Sequence, residues 1–240
     1  MLKACLNGAR RPSDHPACPI TPADLAIAGA AAVAAGAAAL HVHPRGADGM
    51  ETLDGAAIAA AVDALRETVA VPIGVTTGAW FLPDPDDRLR AIDGWTAFPD
   101  FASVNIHEAG ALRIADALLD RGIGVEAGIW TADAARTLVE SALCERCLRF
   151  LLEPMEQEVD AALANVDAIE TALVGAAPAV PRLLHGIFAT AWPVLDHAVA
   201  HGYDTRIGLE DTFVRPDGSP AMDNAELVRT AVERGAVPTG

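Results

Sequence analysis

Residues 21–44 read TPADLAIAGAAAVAAGAAALHVHP, a helix, a stop and a strand in direct succession. Thr21 supplies an N-cap and Pro22 a first-turn proline with no needed amide to lose. The alanine-rich run continues as helix until Gly36, which stands where a helix ends. Beyond it, ALHVHP reads as a short apolar strand. His41 and His43 are two residues apart, so on a strand both project from one face. Leu25 to Leu40 is a long uncharged run, 16 residues and mostly Ala and Gly. It falls short of the roughly 20 strongly apolar residues of a membrane span.

The same alternation extends in both directions. Short apolar runs, LKACLNG (2–8), ALHVHP (39–44), VPIGVTTG (71–78), FASVNI (101–106), IGVEAGIW (123–130), LRFLLEP (148–154), PRLLHGIF (181–188) and TRIGLED (205–211), are separated by helical patterns such as GAAIAAAVDALRETV and WPVLDHAVAHG. A last helix, NAELVRTAVERG, makes the count eight and eight. Such βα alternation is the signature of a parallel sheet. Eight units in 240 residues predict a compact α/β fold, a single-domain (β/α)8 TIM barrel over residues 1–240, with a doubly wound open sheet as the alternative.

The chain is 52% hydrophobic and 21% charged, enough to bury a substantial core. Its net charge of −16 argues against a general nucleic-acid or anionic-membrane surface. Without a basic and apolar leader at MLKACLNGAR, a cytoplasmic location is expected. Of Cys5, Cys18, Cys144 and Cys147, only CERC has motif spacing, and ordinary thiols in a reducing compartment are the simpler reading.

In a barrel of this kind the chemistry gathers at the C-terminal strand ends. Those ends carry Asn7 and Arg10, then His41, His43 and Arg45. Next come Thr76, Thr77, Ser103, Asn105, His107, Glu108, Glu126, Glu153 and His185, and lastly Arg206, Glu210 and Asp211. Strict alternation through TRIGLED places Arg206, Gly208 and Glu210 on one face. Two imidazoles and a carboxylate can then meet around a divalent metal with positions left open for substrate. His15, His197 and His201 read as surface residues. Lys3 is the only lysine and lies at the N-terminal end of the first strand, so no Schiff-base lysine stands in the barrel mouth.

The blocks NGARRPSDHPACPITPADLA, AGAAALHVHPR, VTTGA and GLEDTFVRPDGSPAMDNAELV, in this order and over almost the whole chain, resemble the β-keto acid cleavage enzymes. The resemblance implies a zinc-dependent (β/α)8 enzyme, typically a homotetramer. Such an enzyme combines a β-keto acid with acetyl-CoA, giving acetoacetate and a new CoA ester. Carried over residue by residue, His41, His43 and Glu210 would hold Zn2+ or another divalent metal. Arg206 and Asp211 would form the catalytic pair, with Asp211 as the base. Thr76, Ala79, Ser103 and Asn105, with Asn7 and Arg10 from the first loop, would bind substrate.

Longer members of the family have a glutamate where this chain has Arg10, and a C-terminal extension that it lacks. Arginine there favours a neutral or dicarboxylic β-keto acid over an amino-bearing one. Arg10, Arg11 and Arg45 together would form a local positive patch for a carboxylate or for CoA phosphates. Two other readings stay open. A metal-dependent hydrolase of the amidohydrolase kind would want H-x-H on the first strand and histidines on the fifth and sixth. A non-catalytic metal-binding barrel would show no turnover with CoA.

Overall fold

A computed structural model describes residues 1–237. Eight parallel strands, β1 (Leu2–Cys5), β2 (Ala39–Val42), β3 (Ile73–Thr76), β4 (Phe101–Asn105), β5 (Gly124–Ile129), β6 (Arg149–Leu152), β7 (Arg182–Leu184) and β8 (Thr205–Ile207), form the sheet. They alternate with α1 (Pro22–Ala34), α2 (Gly55–Arg66), α3 (Pro85–Asp93), α4 (Ala111–Asp120), α5 (Ala132–Val139), α6 (Val159–Leu173), α7 (Ala191–His201) and α8 (Asn224–Glu233). Each strand pairs with its sequence neighbour, and β8 pairs with β1, so the order is that of a barrel. An open doubly wound sheet would reverse direction at a switch point, and this order has none.

The ring is nearly closed between β7 and β8. There the join is one parallel bridge, Leu183 to Asp204, with Leu184 N donating to Asp204 O at 2.9 Å. Thr205 adds a side-chain bond from Oγ1 to Leu184 O at 2.8 Å.

Local chemistry sets the element ends as the sequence implies. Thr21 and Asp24 form a reciprocal capping box, Asp24 N donating to Thr21 Oγ1 at 3.1 Å and Thr21 N to Asp24 Oδ2 at 3.0 Å. This hydrogen bonding holds the Asp24 carboxyl below its ordinary range. Leu25, Gly29 and Ala32 are the buried stripe of α1, packed on the outside of the strands. Among the described residues no helix is long and apolar enough to cross a membrane.

The strands are shorter than the apolar runs, and three expectations change in the folded chain. Glu126 is the third residue of β5, inside the barrel near its N-terminal end, and is not a rim group. It forms an ion pair with Lys3, and its Oε1 lies 3.2 Å from Arg149 Nε. Both cations also lie over the Phe101 ring, 5.6 and 5.8 Å from its centroid. Second, β8 stops at Ile207, so strand alternation does not carry Glu210. A turn does, with Asp211 N and Thr212 N both donating to Gly208 O at 2.9 and 3.1 Å. Third, His15 is buried, its Nε2 at 2.9 Å from Ala221 O and its ring stacked on Phe213.

All four cysteines are free and buried, and burial pushes the thiols of Cys18 and Cys147 up to about 11 and about 12. Thiols so protonated are poor nucleophiles and poor ligands.

Candidate metal centre and its surroundings

His41 is the third residue of β2, and His43 lies one residue past its end. His43 stays extended because Asn7 continues the ladder with its side chain. His43 N donates to Asn7 Oδ1 at 2.8 Å, and Asn7 Nδ2 donates to His43 O at 2.9 Å. The i, i+2 spacing therefore still brings the two rings together, Nε2 to Nε2 at 3.2 Å. Glu210 reaches them from the turn after β8, its Oε2 at 3.6 Å from His43 Nε2 and 4.0 Å from His41 Nε2. Gly8, at φ +50°, makes room for it: a Cβ there would sit 2.4 Å from Glu210 Cγ.

These three residues are the one His/Cys/Asp/Glu group among the described residues whose ligand atoms all lie within 4.8 Å of one another. The donor set fits a divalent cation. Glu210 Oε2 is buried with no hydrogen-bond partner, and it faces two imidazole nitrogens. A buried acceptor left in this state is costly without a cation or a proton to meet it. Burial favours protonating Glu210, but the charge of Arg206 outweighs it and holds the carboxyl well below the usual range. Burial also drives His41 far down, keeping its imidazole neutral as a ligand must be.

Arg206 organises the other side. Its Nη2 donates to Glu210 Oε1 at 3.0 Å and to Asp211 Oδ1 at 2.8 Å, and Nη1 lies 3.5 Å from Glu153 Oε1. Asp211 is fully buried, and that burial raises its carboxyl above the ordinary aspartate value in spite of Arg206. His185 follows β7 and stands between two carboxylates, Nε2 at 3.0 Å from Glu153 Oε1 and Nδ1 at 3.7 Å from Asp211 Oδ1.

A cavity of about 180 Å³ opens over this floor. Its lining includes His41, His43, Glu210, Arg206, Glu153 and His185, together with Thr76, Ser103, Asn105, Trp80, Trp130 and Arg10. Asp211 does not reach it; Arg206 and His185 separate the aspartate from the cavity. Of the substrate-binding residues expected from sequence, Thr76, Ser103, Asn105 and Arg10 border the cavity, while Asn7 and Ala79 do not. Asn7 is engaged with His43, and the Ala79 amide donates to Glu108 Oε2 at 3.0 Å. Glu108 in turn pairs with the buried Arg88 at 2.7 Å, which makes it an anchor for two loops.

The expected arginine patch is dispersed. Arg45 donates to the carbonyls of Gly8 and Arg10, and Arg11 points to solvent. Arg10 alone faces the cavity, its guanidinium 4.4 Å from the Phe188 ring centroid and 5.5 Å from that of Phe213. Nε and Nη2 of Arg10 both donate to Glu210 O, at 3.2 and 2.8 Å, so part of its fork is already engaged.

Four contributors to the site escape sequence reasoning: Glu51, Trp80, Trp130 and the pairing role of Glu153. Glu51 accepts from His43 Nδ1 at 2.6 Å, and Trp130 Nε1 donates to Glu153 Oε2. None carries a spacing signal: Glu51 meets His43 across the loop after β2, and Trp80, Trp130 and Glu153 meet partners in other βα units.

The sequence pattern of the family described as beta-keto acid cleavage enzyme matches residues 1–236. No curated protein matches the chain. Among solved structures, a binary complex of ObcA with oxaloacetate superposes with a TM-score of 0.72 at 18% identity, covering 92% of this chain and 65% of that one. A ternary complex of ObcA with C4-CoA adduct and oxalate gives 0.70 at 18% identity, covering 91% and 63%. The 3-dehydroquinate dehydratase of Geobacillus kaustophilus HTA426 gives 0.62 at 14% identity, covering 97% and 90%. At these identities the likeness is one of fold. The chain spans just under two thirds of the length of ObcA.

Proposed function

The chain belongs to the β-keto acid cleavage enzyme family, and from that premise we propose that it exchanges acyl groups between a β-keto acid and acetyl-CoA at a divalent metal, zinc by the family resemblance. The observation that carries the reading is the buried, unpartnered Glu210 Oε2 facing two imidazoles on the cavity floor. A divalent ion held by His41, His43 and Glu210 would supply Lewis-acid polarisation of the substrate's keto group.

The remaining chemistry belongs to the side chains. Asp211 is the base, held by Arg206, and because it does not line the cavity the proton from C2 of the β-keto acid passes to it through His185, which does and whose Nδ1 lies 3.7 Å from Asp211 Oδ1. C2 then bonds to the acetyl carbon of acetyl-CoA, and the CoA thiolate leaves. The thiolate attacks the original keto carbon, the old C–C bond breaks, and the carbanion left at C2 takes back the proton held by Asp211, giving acetoacetate and a new CoA ester. Thr76, Ser103 and Asn105 orient the keto acid from the cavity wall.

Arg10 sets the charge class. Held against Phe188 and Phe213 with Nε and Nη2 on Glu210 O, it offers a substrate carboxylate its remaining nitrogen, Nη1, and repels an ammonium. The ObcA complexes with oxaloacetate and with a C4-CoA adduct support a dicarboxylic keto acid and a CoA thioester as partners. The assembly, by the same resemblance, is a homotetramer, which sedimentation of the purified chain tests.

The deciding experiment incubates the metal-loaded protein with acetyl-CoA and oxaloacetate, a neutral β-keto acid or 3-keto-5-aminohexanoate, and weighs the CoA products by mass spectrometry. New CoA esters from the first two are expected. No new ester from any of the three overturns the activity, and a preference for the amino substrate overturns the role of Arg10.

A further inference from the structure

The two imidazoles at the rim are not held alike. His41 Nδ1 is buried with no hydrogen-bond partner, whereas His43 Nδ1 lies 2.6 Å from Glu51 Oε1. An ionised carboxylate only accepts, so this contact puts the hydrogen of His43 on Nδ1 and leaves the Nε2 lone pair aimed at His41 and Glu210. The same carboxylate receives Trp80 Nε1 on both oxygens, at 3.2 and 3.0 Å. The indole lies over the His43 ring with centroids 5.8 Å apart and planes 26° apart.

Two backbone features deliver these groups. Arg45 and Glu51 form an antiparallel bridge that folds the loop after β2 back on itself. Gly78 lets Trp80 turn inward, since a Cβ there would fall 2.0 Å from the indole. Trp80 lines the cavity and Glu51 does not.

We propose that Glu51 is a positioning residue that fixes the tautomer and direction of His43 and ties it to Trp80, so that the indole on the cavity wall follows the state of the metal ligand. The inference rests on the metal reading of the rim. A ligating histidine whose second nitrogen is held by a carboxylate is better oriented and more basic, and losing such a partner commonly lowers metal affinity about 10–100-fold. Because His41 has no outer partner, Glu51 is the anchor on which the pair depends.

Zinc binding to the chelator-stripped protein, measured by competition with a chromophoric chelator while tryptophan emission is recorded, tests this. Glu51→Ala is expected to weaken zinc about 10–100-fold, and Glu51→Gln less, since its amide oxygen still accepts from His43. Zinc should change the emission of the unmodified chain and not that of Trp80→Phe. A folded Glu51→Ala protein with unchanged affinity overturns the proposal, as does an emission change that survives in Trp80→Phe. Should Glu51→Ala fail to fold, NMR of ¹⁵N-histidine-labelled unmodified protein reads the tautomer directly. A proton on Nδ1 of His43 is expected, and one on Nε2 overturns the proposal. His41→Ala/His43→Ala separates the two levels. If it binds zinc normally the metal site itself fails, and if it loses zinc while Glu51→Ala keeps it, only Glu51 fails.

Discussion

Two charged clusters share the interior of this barrel, and they are built on opposite rules. At the N-terminal end, Glu126 has Lys3 on one oxygen and Arg149 on the other, with Phe101 beneath both cations. At the C-terminal rim, Arg206 is shared among Glu153, Glu210 and Asp211, and Glu210 Oε2 and Asp211 Oδ2 are left buried without hydrogen bonds. The first cluster sets two cations against one carboxylate, although Glu126 Oε1 and Arg149 Nε are also buried without hydrogen bonds. The second is short of positive charge by design of its residues, and it borders a cavity. Polarity inside a barrel does not mark a site; carboxylates in excess of their cations beside a cavity do.

The largest expected effect tests the rim. Asp211→Asn should keep metal content and lose about 10²–10⁴-fold in kcat, because a base is removed while the ligand set is untouched. Turnover near that of the unmodified enzyme would move the base to the His185–Glu153 pair, which borders the cavity. Next is the opposite cluster. Lys3→Met should cost up to about 3–5 kcal/mol of stability by denaturant titration, since it removes one of the two buried cations of Glu126 and leaves Arg149 as the other. Zinc affinity should not move, and a loss of zinc in a folded Lys3→Met protein would show the clusters to be coupled. Arg10→Glu comes third. Loss of a charge-assisted hydrogen bond of about 1.5–3 kcal/mol should lower kcat/KM for a dicarboxylic substrate roughly 10–100-fold, and should raise it for an amino substrate. An unchanged ranking would remove Arg10 from substrate choice. Smallest is Thr21→Ala, about 0.5–2 kcal/mol from the α1 cap, with kcat unaltered. It is the control that touches neither cluster.

Much of this was legible in the chain and some was legible for the wrong reason. Periodicity gave the eight units because helical and strand periods differ so plainly, and HVH gave the imidazole pair because alternation is local. Glu210 was found through an alternation that stops at Ile207; it reaches the two imidazoles by a turn that Gly8 makes room for. Glu126 was misplaced because a strand's sequence does not say at which height its polar residue enters the barrel. Glu51, Trp80 and Trp130 were invisible since no spacing rule pairs residues across a loop or between units.

The join between β7 and β8 bears on how such an enzyme would lose order. Both strands are three residues long and they meet through a single bridge, while β4 and β5 pair along five positions. A ring with one thin joint opens there first. His185 follows one strand of that joint and Arg206 lies on the other. The amides of Leu184 and Asp204 should therefore exchange with deuterium well before those of β4 and β5. Mild warming would then widen the gap between His185 and Arg206 in a barrel that is otherwise intact, and the catalytic wall would slacken before the fold does.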